Sequence, residues 1–165
     1  MGIGFRVTHF ILAQNPLLEY FLHFFKLLNN FKEGTKMKAD YLCPHCRGLL
    51  NAGDYIVFSS RTNKGGHGII MLHPEVGNYT VAKHPMFGYE QGEKLLFYCP
   101  MCNKELASDV HENLAKIILI DEEKKEFDIH FSKVAGEQST FKIIGEHVEV
   151  FGENSGDYLE FLGMK

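Results

Sequence analysis

The sequence predicts a mainly β protein. Short runs rich in β-branched and aromatic residues recur through most of the chain, separated by clusters of Gly, Asn and Pro. Long helical patterns do not alternate with these runs, which argues against a parallel α/β sheet. The chain has 165 residues, of which 45% are hydrophobic, so it can bury the core of one domain or of a domain with a small annex.

The first 36 residues differ from the rest of the chain. Asn15 is suited to cap a helix and Pro16 to its first turn, and apolar residues then follow at helical spacing. This pattern predicts an amphipathic helix that lies on a membrane surface or on a partner. Charged residues interrupt it too often for a transmembrane segment, and its apolar run is too short for a signal peptide. Alternatively, residues 1–36 precede a true start at Met37, where the folded pattern begins.

Residues 37–106 contain two cysteine motifs, at 43–46 and 99–102, and the stretch between them reads as a β-module. Its strand-like runs are bounded by Gly-rich and Asn-rich segments of the kind found in turns and loops. Four strands are expected here, at residues 54–60, 68–73, 78–84 and 94–98.

Residues 107–165 predict a C-terminal antiparallel β-meander, either separate or packed as one domain with 37–106. Ser108 is suited to cap a short helix that carries Val110 and Leu114 on one side. Gly145 suits a two-residue hairpin turn. Four strands are expected, at residues 116–121, 126–134, 140–144 and 147–152, followed by a closing helical turn at 155–162.

One of these strands shows its period clearly. Phe127, Ile129 and Phe131 alternate with polar residues. Because successive side chains of a strand point to opposite faces, this pattern predicts one face in a core and the other in water.

Charge is distributed unevenly along the chain. Residues 103–165 carry seven basic and fourteen acidic residues, a net charge of −7, whereas residues 37–102 carry a net charge of +1. The acidic C-terminal third would repel phosphate backbones, which makes a protein a better partner than a nucleic acid. A nucleic-acid contact would have to use the middle of the chain, where Arg47, Arg61, Lys64 and Lys83, with nearby Tyr and Phe, are the candidate residues.

All four cysteines belong to an internal repeat. The stretch "YLCPHCRGLL" at 41–50 matches "FYCPMCNKEL" at 97–106, and each contains Cys-Pro-x-Cys followed after four positions by Leu. Two residues between cysteines let a tight turn present both sulfurs to one tetrahedral metal ion. The repeat therefore predicts a metal site made of two such turns, here called knuckles, with Cys43, Cys46, Cys99 and Cys102 as its ligands.

Residues next to the cysteines fit such turns. Pro44 fixes φ as the first turn begins. The end of each turn needs a residue that tolerates the left-handed conformation, and Gly48 and Asn103 suit that need. Leu50 and Leu106 are expected to pack the two knuckles together beneath the metal.

The paired motifs resemble the zinc-ribbon class, and the complete pattern is similar to small uncharacterised bacterial zinc-ribbon proteins. The resemblance implies one structural Zn²⁺ shared by two knuckles on β-hairpins, and it implies no established activity. The sequence departs from the class in two ways. Arg47 and Asn103 replace the usual Gly after the second cysteine of each knuckle. The gap between Cys46 and Cys99 is 52 residues, which leaves room for the inserted β-module.

A redox function is the main alternative, because Cys43-Pro-His-Cys46 is similar to the active-site motif of bacterial disulfide-forming oxidases of the thioredoxin superfamily. Such a motif needs its first cysteine at the start of a long helix, whose dipole lowers the thiol pKa. The residues that follow Cys46 instead read as a turn and a strand. The absence of a convincing signal peptide favours a reducing, cytoplasmic location, in which two structural disulfides are not expected.

Histidines offer no competing site in the sequence. Four cysteines close a coordination sphere, so His45 is expected to point outward from its knuckle rather than bind the metal. The spacing of His67, His73 and His84 does not require a second site. We therefore expect a non-catalytic, cytoplasmic zinc protein that acts as a protein-interaction module. A thiol-disulfide oxidoreductase and a nucleic-acid-binding zinc ribbon are the alternatives.

Overall fold

A computed structural model describes residues 39–164, and within this range ten β-strands form two five-stranded sheets. Every strand pair is antiparallel, so the prediction of a mainly β fold is confirmed. The strands are Asp40–Leu42 (β1), Asn51–Ala52 (β2), Tyr55–Thr62 (β3), His67–Leu72 (β4), Val81–Lys83 (β5), Leu95–Tyr98 (β6), Leu114–Ile120 (β7), Glu126–Ser132 (β8), Thr140–Ile144 (β9) and His147–Phe151 (β10).

The chain changes sheet at each cysteine motif. The first sheet has the order β1-β7-β8-β9-β10, and the second has the order β2-β3-β4-β5 with β6 also paired to β3. The first motif lies between β1 and β2, and the second lies between β6 and β7. The two crossings between sheets therefore coincide with the two knuckles.

Aromatic side chains from both sheets meet in the main core. The rings of Phe58 in β3 and Phe97 in β6 are 5.5 Å apart, and both contact Phe131 in β8, at 5.7 and 5.3 Å between centroids. The exposed fraction of each of these side chains is 7% or less. Edge-on and tilted aromatic pairs of this kind add to the stabilisation from apolar burial, and they hold the sheets face to face.

A second, smaller cluster covers the other face of the first sheet. Leu114, Phe141 and Tyr158 form it, with Tyr158 supplied by a 3-10 helix at Ser155–Leu162. The predicted closing turn is therefore longer than one turn. The alternation in β8 predicted that its polar face lies in water. The cover instead buries part of that face, and His130 is only 2% exposed.

The short helix predicted after Ser108 is absent from the described range, and this prediction was wrong. The Ser108 hydroxyl accepts a hydrogen bond from the amide of Val110 at 3.0 Å and lies 2.7 Å from Nδ1 of His130. Serine forms such local bonds in turns as readily as at helix caps. β5 is shorter than the strand predicted at 78–84. The Asn78 side chain accepts a hydrogen bond from the Thr80 amide, a local turn bond that lies where the strand was expected to begin.

The two hairpin turns of the meander lie where the sequence placed them. Gly145 has φ 58° in the turn between β9 and β10, and residues 121–125 join β7 to β8. The N-terminal segment 1–36, with its predicted helix or upstream start, lies outside the described residues. Between residues 39 and 164, no helix has the length and apolarity needed to cross a bilayer.

Candidate metal centre

The two knuckles are the same turn built twice. In the first, the Cys43 amide donates to the Gly48 carbonyl at 3.0 Å, and the Arg47 amide donates to the Cys43 carbonyl at 2.9 Å. In the second, the corresponding bonds join Cys99 to Lys104 and Asn103 to Cys99, again at 3.0 and 2.9 Å. The internal repeat of the sequence is therefore a repeat of backbone structure.

The left-handed residue of each turn directly follows the second cysteine. Asn103 has φ 55°, as predicted, but in the first knuckle Arg47 has φ 58° and Gly48 does not lie in the left-handed region. The assignment of this role to Gly48 was wrong by one position. Gly48 instead allows close contact with the other knuckle, since a Cβ there would lie 2.6 Å from Cε of Met101.

The leucines that follow each knuckle anchor it to the core. The Leu50 amide donates to the Tyr41 carbonyl at 2.7 Å, and the Leu106 amide donates to the Phe97 carbonyl at 2.8 Å. Both leucine side chains are at most 1% exposed. Each knuckle is thus closed by a backbone bond and fixed by a buried side chain in the core.

The four cysteine sulfurs form a compact cluster. The Sγ atoms of Cys43 and Cys102 are 3.8 Å apart, as are those of Cys46 and Cys99, and all four ligand atoms lie within 4.8 Å of one another. A tetrahedron with metal–sulfur bonds of about 2.3 Å has edges of about 3.8 Å. The distances are too long for disulfides, whose S–S bond is about 2.05 Å, and all four cysteines are free thiols. The four cysteines could therefore hold one metal ion.

Burial and hydrogen bonding differ among the four thiols. Cys43 and Cys99 are fully buried, and this burial raises the pKa of both, that of Cys43 to about 12. The backbone N–H of Lys104 lowers the pKa of Cys102 to about 7. The His45 amide donates to Cys43 Sγ at 3.4 Å, a bond that favours the thiolate. A bound cation would offset the cost of ionising the two buried sulfurs.

Histidines do not add to this site. His45 Nε2 lies 2.8 Å from the carbonyl oxygen of Glu105, so this ring nitrogen is engaged in a hydrogen bond with the backbone. In the part of the chain that the structure describes, the four cysteines are the one group of three or more His, Cys, Asp or Glu side chains placed to hold a metal ion. His67, His73 and His84 are therefore not brought together as a metal site.

The four basic residues considered for a nucleic-acid contact are Arg47, Arg61, Lys64 and Lys83. Each has an intramolecular partner: Arg47 donates to both carboxylate oxygens of Glu126, Arg61 lies over the ring of Tyr98, Lys64 pairs with Glu90, and Lys83 donates to the carbonyl of Phe87. The Arg47–Glu126 pair and the contact of Gly48 with Met101 escaped sequence analysis. Both join residues more than 50 positions apart, and no local pattern signals them.

Comparison with known proteins yields no relative. No family model matches the chain, and neither the curated proteins nor the solved structures contain a significant match.

Proposed function

We propose that the four cysteines bind one Zn²⁺ ion and that this ion has a structural role. The observation that supports the proposal most is the sulfur geometry, in which two Sγ–Sγ distances are 3.8 Å and all ligand atoms lie within 4.8 Å. Four thiolates at these distances suit a tetrahedral ion with affinity for sulfur, and zinc is the common ion at such sites. The resemblance of the paired motifs to zinc ribbons points the same way.

A structural role follows from the number of ligands and from their place in the fold. Catalytic zinc sites typically have three protein ligands and an open position, whereas four cysteines leave none. The ion would hold together the two points at which the chain passes between sheets. Because it would close a loop of more than 50 residues, we expect metal binding to be coupled to folding.

The biological role we propose is that of a protein-interaction module in a reducing compartment such as the cytoplasm, where free thiols persist. Leu49 and Met101 support this proposal, because they lie in or beside the knuckles and are 51% and 54% exposed. Apolar side chains mark a contact surface when they form a contiguous patch, and Leu49 follows Gly48, which packs against Met101. A photo-crosslinker at position 49 should capture a defined protein, and Met101→Glu should abolish the capture. Equal capture from position 86, which is distant in sequence and 86% exposed, would contradict the proposal.

The two alternatives have less support. A thiol-disulfide oxidoreductase would need a reactive Cys43, but this residue is fully buried and its pKa is raised to about 12. A nucleic-acid-binding role would need basic side chains free to contact phosphates, but the four candidates have intramolecular partners.

Elemental analysis of the full chain, produced in a reducing cytosol and measured with and without a chelator, tests the zinc site. We expect one zinc per chain and loss of the compact fold in Cys99→Ser. His45→Ser is the matched control, since it changes a spacer residue of a knuckle and should keep the metal. Metal-free protein that remains folded would overturn the structural role. Reductase activity of metal-free protein that depends on Cys43 and Cys46 would support the redox alternative instead.

A further inference from the structure

Strand β10 forms an open edge of the first sheet. Of the residues from 39 to 164, only those of β9 pair with it. The two-residue turn between the strands places Ile144 opposite His147, and the pair that closes such a hairpin is hydrogen-bonded. Because hydrogen-bonded and non-hydrogen-bonded pairs alternate in an antiparallel ladder, the N–H and C=O groups of Val148 and Val150 point away from β9. These groups can therefore pair with a further strand.

The other edges of the two sheets are covered or short. At β1, the Tyr41 amide donates to Oδ1 of Asn51 at 2.6 Å. At β6, the Phe97 carbonyl accepts a bond from the Leu106 amide at 2.8 Å. Strands β2 and β5 contain only two and three residues, whereas β10 contains five. Between residues 39 and 164, β10 is thus the longest uncovered edge.

β10 also lacks the features that usually block an open edge. Lysine, proline and bulges prevent unwanted pairing of edge strands. The sequence of β10, HVEVF, contains neither lysine nor proline, and its register with β9 runs without a bulge. Its one acidic side chain, Glu149, already pairs with Lys142 of β9 at 2.8 Å. Such an edge is suited to bind an extended peptide through backbone hydrogen bonds.

An apolar groove lies beside this edge. Val150 lies opposite Phe141, which belongs to the small apolar cluster, and Val148 points to the same face. The apolar residues that line the groove are Val110, Ile143, Val148, Phe161, Leu162 and Met164. Val150 is 40% exposed and Phe161 is 54% exposed. Because alternate side chains of a strand point to the same face, an added strand would place every second side chain on this apolar side.

The surroundings of the edge are acidic. Residues 145–164 contain five acidic residues and no lysine or arginine. Four of the five are exposed and form no ion pair with the described residues, namely Glu146, Glu153, Asp157 and Glu160. Acidic surroundings attract a basic partner and repel an acidic one. A basic segment therefore fits this edge, whereas a second copy of the chain would bring the same acidic residues.

We propose that β10 binds an extended basic segment of another protein, which adds a strand to the first sheet. Backbone hydrogen bonds to Val148 and Val150 hold the segment, and its apolar side chains lie over the groove. Lysine or arginine at the intervening positions supplies the charge that the acidic surroundings attract. This surface is separate from Leu49 and Met101 at the knuckles, and the proposal stands if those two residues bind nothing.

Fluorescence anisotropy of labelled peptides, titrated with the full chain produced in a reducing cytosol, tests the proposal. A peptide of alternating lysine and valine should bind saturably, and salt should weaken the binding because it screens charge. A peptide with glutamate in place of lysine should bind about tenfold more weakly, since like charges then meet. N-methylation of the lysine–valine backbone keeps the charge and removes the N–H donors, so it should weaken binding about tenfold. Absence of saturable binding, or equal binding of either modified peptide, would overturn the proposal.

Two matched substitutions locate the site. Val148→Pro removes an N–H group that points away from β9, and edge strands tolerate proline at such positions. It should weaken binding of the lysine–valine peptide about tenfold. Val81→Pro makes the same change in the edge strand β5, where Val81 is 44% exposed, and should leave binding unchanged. Equal weakening by both substitutions would overturn the proposal. If Val148→Pro does not fold, as its circular dichroism will show, the N-methylated peptide decides the matter.

Two further measurements separate this surface from other contacts. Met101→Glu should leave peptide binding unchanged, although it should abolish protein capture from position 49. Loss of peptide binding in Met101→Glu would place the contact at the knuckles and overturn the proposal. Analytical ultracentrifugation of the chain without peptide should show no dimer that Val148→Pro dissociates. Such a dimer would mean that a second copy occupies the edge, which would also overturn the proposal.

Discussion

Gly48 of the first knuckle lies directly against the side chain of Met101 in the second. A Cβ at position 48 would be 2.6 Å from Cε and 2.7 Å from Sδ of Met101, and 3.3 Å from Sγ of Cys46. Since Gly48 does not have a positive φ, the close approach accounts for this glycine better than backbone conformation does. The contact therefore brings the two knuckles together through direct packing.

We predict that Gly48→Ala folds but binds zinc about threefold to tenfold more weakly. The exposed end of Met101 can move aside at little cost, whereas Cys46 Sγ is a proposed ligand and must shift by a few tenths of an ångström. Competition with a chromophoric chelator measures the affinity. Met101→Ala alone is the control. The double variant Gly48→Ala/Met101→Ala should regain only the part of the zinc affinity that is lost through the clash with Met101. Unchanged affinity in Gly48→Ala would show that the cluster adapts freely.

Arg47 occupies a left-handed backbone position, which is unfavourable for a residue with a side chain. Arg47→Gly would relieve this strain but would remove two hydrogen bonds of 2.8 Å to Glu126. Both partners of that pair are about half exposed, so solvent screens it and its contribution is small. We predict that Arg47→Gly raises the melting temperature of the metal-loaded protein by about 2–4 °C.

Glu126→Gln separates the two effects at position 47. It weakens the ion pair and leaves the backbone of the knuckle unchanged, so its melting temperature should fall slightly or not at all. Arg47→Gly in the Glu126→Gln background should then show the relief of strain alone. A melting temperature lowered by Arg47→Gly in both backgrounds would mean that the left-handed position costs the protein nothing.

The knuckles could be predicted from sequence because their signals are local. Each depends on a few residues in a row, and the repeat of Cys-Pro-x-Cys predicted which four cysteines lie close together in the structure. The left-handed residue of the first knuckle was predicted at Gly48 rather than at Arg47, because glycine adopts this conformation more easily. The actual role of Gly48 is visible only in its contact with Met101.

The sheet arrangement could not be predicted to the same extent. β1 pairs with β7, so that Tyr41 lies opposite Leu119, and no pattern near either residue specifies the other. The order of the strands, which leaves β10 at the edge of its sheet, depends on such long-range pairings and is equally invisible in the sequence. The prediction of a helix after Ser108 was wrong for a different reason: serine occurs both at helix caps and in turns, so it does not distinguish the two.

Gly68 in β4 marks a close approach that we expect to be important for stability. A Cβ at this position would be 2.6 Å from Cγ and 2.9 Å from Cβ of Phe87, which is 5% exposed and belongs to the main core. These atoms lie near the backbone of Phe87 and cannot move aside easily. We predict that Gly68→Ala lowers the free energy of unfolding by about 1–3 kcal/mol, as overpacked cores do.

Chemical denaturation measures the effect of Gly68→Ala, and Gly88→Ala provides the control. Gly88 has no positive φ and a Cβ there would meet nothing within 4 Å. It should therefore change stability little. If the two substitutions cost the same, the contact with Phe87 is not the reason for glycine at position 68.

His130 should make the fold sensitive to acid. It is 2% exposed, with Nδ1 2.7 Å from Ser108 Oγ. Burial is the main cause that lowers its pKa below the usual 6.5, and the charge of Lys116 adds to this against the weaker opposing effects of Asp109 and Asp128. The unfolded chain therefore takes up a proton at a higher pH than the folded protein does.

The sign of the effect follows from this difference in proton uptake. The contribution of neutral His130 to stability is complete above about pH 6.5 and is lost as the pH falls from there towards the lowered pKa of the folded state. We predict that the stability difference between the unmodified protein and His130→Gln narrows between pH 7.5 and pH 5.5. Denaturant unfolding at several pH values measures it, and because both proteins have the same four thiols, competition of protons with metal cancels in the difference. Parallel stability curves for the two proteins would show that His130 does not control the acid response.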